Sequence, residues 1–141
     1  MIDTPALVVT TRQPLAMIRL TVAPAELRHV IGPALGELTD VLATQQLRPT
    51  GPWLTYHFRR PTATFDCAVC MPVATPIEGR GRVTPGELPA VRVARTVHHG
   101  GYEGLRDAWG ALAAWITREG HTAAEDLWES YVTGPDSHLP P

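Results

Sequence analysis

The chain has 141 residues, 44% of them apolar, which is enough apolar surface to fill the core of one domain. Its formal net charge is -2 and its 12 basic residues are all arginine, so we expect no basic stripe that would bind nucleic acid through this segment. The first residues lack a basic leader and no long apolar run follows, which predicts a cytoplasmic protein without a membrane span.

The first half, residues 1–73, is predicted to have the element order β-α-β-β. Extended patterns cover residues 5–12 and 15–22, and apolar residues at helical spacing follow over residues 24–47. The dipeptide Gly32-Pro33 is expected to break or kink that helix. Two β-rich runs that are expected to pair as antiparallel neighbours close this half: WLTYHF and TATFDCAVCMPV.

A connector precedes a second set of elements in residues 88–141. Residues 74–87 are rich in glycine, proline and charge, which predicts a mobile loop with little apolar surface to bury. Alternation over residues 88–97 predicts a strand, and the helical pattern that follows is expected to end at Gly120. The run LWESYVTG predicts another strand. No residues remain for the strand that would follow it, so we expect an exposed or irregular sheet edge.

The Trp-x-x-Tyr pattern that ends at Tyr56 recurs in the second half, where it ends at Tyr131. We therefore predict an α+β fold of duplicated β-α-β-β halves with pseudo-twofold symmetry, in one domain. Its antiparallel sheet carries two main helices on one side, its last strand is missing, and a ligand cleft lies between the halves. On this alignment Leu54 and Tyr56 correspond to Glu129 and Tyr131.

The two cysteines, Cys67 and Cys70, form a CxxC pair, which in other contexts marks a metal or redox site. Here the pair lies in a predicted strand, where residues three apart point to opposite faces, and no second ligand pair is spaced nearby. We predict structural cysteines and no metal or other cofactor.

Four segments of the chain resemble the GyrI-like family: HHGGYEGL, AWGALAAW, WESYVTGP and, more loosely, TGPWLTYHF. The same fold serves as the effector-binding domain of AraC- and MerR-type regulators and is similar to the haem-associated SOUL proteins. The resemblance implies that Tyr102 and Glu103 begin the second helix and that Glu129 places an acid in a central pocket, with Tyr131 beside it. The chain departs from the family pattern at Gly101, at Gly134 and in the missing end strand.

Strand alternation independently places Glu129 and Tyr131 on one face and Trp128 on the other. The duplication also turns Trp53 away from Glu129. Burying a lone carboxylate is costly unless a cation or a hydrogen bond compensates it, and a cationic aromatic ligand would supply both charge and a π surface.

Two internal alternatives compete with a ligand at Glu129. One is a salt bridge to Arg19 or Arg92, and the other is a hydrogen bond from Tyr56 or Tyr131. For two further aromatic residues, packing and ligand binding both stay open as roles. Trp109 lies on the apolar stripe of the second helix, and Tyr102 follows a Gly-Gly turn. The predicted ligand-binding set is Leu54, Tyr56, Tyr102, Trp109, Glu129 and Tyr131.

The predicted function is binding of a bulky, aromatic, preferably cationic small molecule, for sequestration or effector sensing. No Ser-His-Asp set, P-loop or other catalytic motif is present, so we expect a binding protein before an enzyme. The resemblance implies one chemical alternative, hydrolysis of cyclopropane-bearing DNA-alkylating toxins with Glu129 and Tyr131, or Tyr56, as catalytic groups. It also implies a second alternative, a gyrase-interacting protein. A sensor would need a DNA-binding domain that this sequence does not show.

Overall fold

The structure is a computed structural model that describes residues 2–59, 64–99, 104–124 and 126–131. The elements are β1 (Ala6–Val9), β2 (Gln13–Val22), α1 (Pro24–Thr44), β3 (Leu54–His57), β4 (Phe65–Pro72), β5 (Val83–Leu88), β6 (Arg92–Arg95), α2 (Leu105–Arg118) and β7 (Leu127–Ser130). They fall into two compact units: β1, β6 and α2 belong to the first, and the other elements belong to the second. Among the described helices, none is long and apolar enough to cross a membrane.

The second unit is built on a five-stranded antiparallel sheet with the strand order β5-β2-β4-β3-β7. The predicted pairing of the two β-rich runs is confirmed, because β3 lies antiparallel to β4. The α+β class with antiparallel sheets is confirmed as well. The sheet places β3, which carries Leu54 and Tyr56, beside β7, which carries Glu129.

Helix α1 packs on one face of this sheet, which we call the helix-side face. The apolar stripe of α1 that the sequence predicts supplies Ala34, Leu38 and Leu42, each at most 1% exposed. They pack in one cluster with sheet residues such as Ile18 and Val69. Because apolar burial is the main favourable term in folding, this cluster holds helix and sheet together.

Of the two effects expected at Gly32-Pro33, the break is wrong, because α1 runs without interruption from Pro24 to Thr44. Both residues of the dipeptide are exposed, whereas the next residue, Ala34, is buried. Proline removes one backbone hydrogen bond, and on the solvent side of a helix the released carbonyl is hydrated. Burial of the apolar stripe on both sides of the dipeptide outweighs the loss of that one bond.

The connector prediction is also wrong in its second part, because residues 83–88 form β5 and pair with β2. Ile77 and Val83 are buried in the helix-side cluster, so the connector does bury apolar surface. The side chain of Gln45 also donates to the carbonyl of Glu78 and accepts from its N–H, both at 2.9 Å. These two hydrogen bonds hold the connector against the end of α1.

Helix α1 ends with a non-glycine residue in the left-handed conformation, Gln46, at φ 59°. The N–H groups of Gln46 and Leu47 donate to the carbonyls of Ala43 and Leu42, which is the Schellman pattern of helix termination. Most residues with a Cβ are strained at such a φ, and glycine is not.

We therefore expect Gln46→Gly to stabilise the protein by about 0.5–1 kcal/mol, which corresponds to a rise in Tm of about 2–4 °C. The Gln46 side chain is exposed, so the substitution removes little packing. Thermal unfolding followed by circular dichroism measures the shift. The matched control is Gly120→Ala, because Gly120 has φ 80° and open space around its Cβ position, and this change should lower Tm. An unchanged or lower Tm for Gln46→Gly would contradict the strain argument.

In the first unit, β1 and β6 form a two-stranded antiparallel ribbon, and α2 carries one buried residue, Leu112. The predicted stop at Gly120 is confirmed, since its N–H and that of His121 donate to Thr117 and Ile116. The predicted Gly-Gly turn with Tyr102 and Glu103 lies outside the described residues. The predicted missing strand concerns residues 132–141, which also lie outside them.

Candidate functional site

The register of β3 and β7 determines which predicted site residues share a face. Thr55 lies opposite Glu129, and Tyr56 lies opposite Trp128. Since directly opposed residues of antiparallel strands point to the same side, Glu129 lies on the face of Thr55 and Val69, the helix-side face. The prediction that Glu129 points away from Trp128 is confirmed.

The same register overturns the alignment of the two halves that the repeated Trp-x-x-Tyr pattern suggests. Leu54 and Tyr56 point to the face opposite Glu129, so the structure does not bring them together with the acid. A two-fold axis between paired antiparallel strands would relate residues that share a face, and Leu54 and Glu129 do not share one. The correspondence of Leu54 with Glu129 is therefore wrong, since a slip of one residue transfers every side chain to the other face.

A hydrogen-bonded chain of three side chains ends on Glu129. The hydroxyl of Tyr131 donates to Oε2 of Glu129 at 2.9 Å, and the same hydroxyl is 2.8 Å from Oγ1 of Thr55. Of the two tyrosines that the sequence offered as hydrogen-bond donors, Tyr131 is therefore the one that faces the acid. The predicted internal hydrogen bond to the carboxylate is present.

The ring of Tyr131 is held by Trp53, which precedes β3. The two rings stack with centroids 4.2 Å apart and planes inclined by 24°, and the N–H of Tyr131 donates to the carbonyl of Trp53 at 3.0 Å. The prediction that Trp53 turns away from Glu129 is wrong, because it followed from the alignment of the two halves that the register overturns. The aromatic partner of Tyr131 is thus a residue that the sequence did not select.

Glu129 itself is half-buried, whereas the prediction is a buried glutamate. Its negative charge reaches His57, which is 4% exposed and lies on the same face two residues along β3 from Thr55. Burial lowers the pKa of His57, and the negative charge of Glu129 opposes that shift only in part. Burial therefore favours the neutral form of the imidazole.

Arg19, one predicted salt-bridge partner of Glu129, is bound elsewhere. Its guanidinium makes two hydrogen bonds to the carboxylate of Asp66, at 3.1 and 3.2 Å, and lies 4.1 Å over the ring of Phe58. These hydrogen bonds hold the pKa of Asp66 below its usual value. The other predicted partner, Arg92, is an exposed residue of β6 in the first unit.

Leu54 and Tyr56 belong to an aromatic cluster on the opposite face of the sheet. Tyr56 stacks on Trp128 at 5.8 Å and meets the edge of Phe58 at 5.1 Å, while Leu54 is buried below them. Burial raises the pKa of the Tyr56 hydroxyl, and the hydrogen bond that this hydroxyl donates to the Asp126 carboxylate raises it further. These contacts indicate that Leu54 and Tyr56 are packing residues of this cluster.

The two cysteines are structural, as predicted. Both thiols are free and buried, and β4 points Cys67 to the helix-side face and Cys70 to the opposite one. Burial raises the pKa of the Cys67 thiol to about 11 and that of the Cys70 thiol to about 12. Since a thiolate is the reactive species, neither side chain is prepared for nucleophilic chemistry at neutral pH.

We expect neither thiol to react with iodoacetamide in the native protein at mildly alkaline pH, because both stay protonated and inaccessible. Both should be labelled once guanidinium chloride unfolds the chain. Intact-mass spectrometry before and after denaturation counts the adducts. Rapid stoichiometric labelling of the folded protein would show that a cysteine is exposed or activated.

The remaining predicted site residues lie elsewhere or outside the described residues. Trp109 is half-buried on α2 in the first unit, and Tyr102 is not among the described residues. A groove of about 480 Å³ lies in the first unit between the N-terminal segment and α2, and no predicted site residue lines it. In the described part of the chain, no three His, Cys, Asp or Glu side chains are grouped as metal ligands would be.

Comparison with known proteins gives one family and one fold. The family model described as the GyrI-like small molecule binding domain matches residues 4–140. The crystal structure of the EcmrR C-terminal domain is similar with a TM-score of 0.82 and 22% identity, over 94% of this chain and 85% of that one. The EcmrR chain in the cryo-EM structure of an EcmrR–DNA complex gives a TM-score of 0.79 and 23% identity over 93% of this chain. The match spans 50% of that EcmrR chain. No curated protein matches the sequence.

Proposed function

Because this chain belongs to the GyrI-like small-molecule-binding domain family, we propose that it binds bulky, flat aromatic cations and that Glu129 provides the opposing charge. The observation that carries this proposal is the half-buried carboxylate of Glu129, oriented by the hydroxyl of Tyr131 on a strand of the helix-side face. The ligand chemistry follows from that acid and from the aromatic rings around it.

The partial burial of Glu129 supports a preference for cations. Opposite charges attract more strongly where protein replaces part of the surrounding water, and a charged hydrogen bond contributes about 1.5–3 kcal/mol. A cation that reaches the carboxylate therefore gains more than it would at an exposed acid. An anion would meet the same charge as repulsion.

The stacked rings of Trp53 and Tyr131 support a preference for flat aromatic ligands. Both rings are half-buried, so each keeps part of its surface accessible. A cation near an aromatic face gains about 0.5–2 kcal/mol, depending on how far water is excluded. The acid and the two rings together favour a delocalised, planar cation over a compact, strongly hydrated one.

The hydrogen bond between Tyr131 and Glu129 favours binding over the hydrolase alternative. In that alternative the acid handles a water molecule while the tyrosine hydroxyl stabilises an oxygen that gains charge. Tyr131 has one hydroxyl proton and donates it to Glu129, and Tyr56 lies on the other face. A search for the ring-opened product of a cyclopropane-bearing toxin would detect the enzyme if this inference is wrong.

Within the cell we propose that the domain senses or sequesters its ligand. The similar EcmrR chain is known in a complex with DNA, and this chain spans half the length of that protein. A domain of this kind can report a ligand to a DNA-binding segment. The sequestering role requires only that the ligand bind tightly.

Quenching of tryptophan fluorescence tests the proposed binding, because Trp53 lies against the ring of Tyr131. Titration with N-methylacridinium, a planar aromatic cation, should quench the emission in a saturable way. Its neutral parent acridine should bind about tenfold more weakly at neutral pH, since it lacks the charge that Glu129 attracts. Equal affinity for both compounds, or no saturation by either, would contradict the proposal.

A further inference from the structure

We propose that Thr55 is a positioning residue of the Glu129 site and that its hydroxyl, by donating to the hydroxyl of Tyr131, keeps that hydroxyl oriented towards the carboxylate. Thr55 does not need to touch the ligand for this role, because it acts through Tyr131. The inference rests on the proposed function, since it explains how the site distinguishes a cation from a neutral molecule of the same shape.

The position of Thr55 is unusual for a polar residue, because its side chain is 0% exposed on a strand of the sheet. It lies directly opposite Glu129, and its Oγ1 is 2.8 Å from the hydroxyl oxygen of Tyr131. A buried hydroxyl without a partner is costly, so this contact is what makes a threonine acceptable at the position.

Counting protons gives the direction of the chain. A tyrosine hydroxyl carries one proton, and that of Tyr131 is donated to Oε2 of Glu129. The bond between Thr55 and Tyr131 must then use the proton of Thr55. Both hydroxyls therefore donate towards Glu129, and such a chain strengthens each of its bonds.

The rest of Tyr131 is fixed by other contacts. Its ring stacks on Trp53 and its N–H donates to the carbonyl of the same residue. The proton from Thr55 adds a contact at the hydroxyl itself and fixes its rotation about the C–O bond. Thr55 thus keeps the Tyr131 proton on the carboxylate, away from a ligand.

Because both hydroxyls donate towards Glu129, its carboxylate acts as a hydrogen-bond acceptor. A ligand that brings positive charge or a donor matches it, and one that brings an acceptor does not. Without Thr55, the hydroxyl of Tyr131 is able to turn towards an acceptor on a ligand. We therefore expect Thr55 to set the preference for cations as well as the affinity.

The experiment compares Thr55→Val with Thr55→Ser, using N-methylacridinium and acridine as probes and calorimetry or fluorescence as the readout. Valine keeps the shape and removes the hydroxyl, whereas serine keeps the hydroxyl. Thr55→Val should weaken binding of N-methylacridinium about 3- to 10-fold, the effect of one net hydrogen bond. It should leave acridine binding unchanged or tighten it by up to about threefold, because the ring nitrogen of acridine can accept a hydrogen bond from the released hydroxyl of Tyr131. Thr55→Ser should keep most of the wild-type preference for the cation.

The outcomes distinguish failure of the positioning role of Thr55 from failure of the proposed function. Equal cation preference in wild type and Thr55→Val, or equal loss in the serine and valine variants, overturns the positioning role and leaves the proposed function intact. A wild-type protein that binds neither probe, or both equally, overturns the proposed function and the positioning role with it. If Thr55→Val does not fold, the serine variant decides, because loss of cation preference in that folded protein contradicts the role of the hydroxyl.

Discussion

Replacing Glu129 with glutamine should lower the affinity for N-methylacridinium about 10- to 100-fold, because attraction between opposite charges at a partly buried site contributes about 1.5–3 kcal/mol. The amide oxygen of glutamine still accepts the hydrogen bond from Tyr131, so the shape of the site is kept while its charge is lost. Affinity for acridine should stay within about twofold of wild type. Titration calorimetry of both ligands against both proteins measures the difference.

Glu78→Gln is the matched control for this prediction. It removes the same charge from an exposed residue of the same unit, and only the backbone of Glu78 is bound by Gln45. A surface charge contributes little at ordinary ionic strength, so Glu78→Gln should leave cation binding nearly unchanged. Similar losses in the two variants would mean that net charge, and not the position of Glu129, governs the affinity.

Truncation of Leu38 to alanine should lower the free energy of unfolding by about 2–5 kcal/mol, the largest stability effect that we expect here. Leu38 is 0% exposed and lies in the cluster between α1 and the helix-side face of the sheet. The substitution removes buried methyl groups and leaves a cavity that a sheet-backed helix cannot close fully. Since small domains are stable by about 5–15 kcal/mol, this is a large fraction of the total.

Leu35→Ala provides the comparison, because Leu35 is on the same helix but only half-buried. Guanidinium unfolding of the two variants should show the larger loss at Leu38, with the slope of the transition unchanged. Equal losses would indicate that the apolar stripe of α1 does not face the sheet as described.

Periodicity in the sequence predicted the elements that bury one apolar face. Helical spacing found α1 because its stripe packs on a sheet, and alternation found β3 and β4 for the same reason. It also placed Glu129 correctly relative to Trp128, since the alternation of side chains along one strand is a local property.

Strand β5 escaped prediction because it contains Pro85 and Gly86, which are poor strand residues. At the edge of a sheet, however, one side of the strand needs no partner, so a proline is tolerated. Pairing with β2 and the burial of Val83 decide the structure of this segment, and both depend on residues distant in sequence.

The residues around Glu129 were harder to predict than Glu129 itself. A repeated Trp-x-x-Tyr pattern carries no information about which residues of two strands face each other, and the alignment based on it placed Leu54 and Tyr56 on the wrong face. The observed register instead brings Thr55 and Trp53 to Glu129 and Tyr131. No local signal marks Thr55, because its role arises only when β3 and β7 pair.

A crystal structure of the protein with N-methylacridinium bound tests the central claim most directly. The account predicts that the ring lies against Tyr131 on the helix-side face, with its charged nitrogen close to the carboxylate of Glu129 and the hydrogen bond from Tyr131 still in place. A ligand bound at another surface, or a carboxylate of Glu129 that points into bulk solvent in the complex, would contradict it.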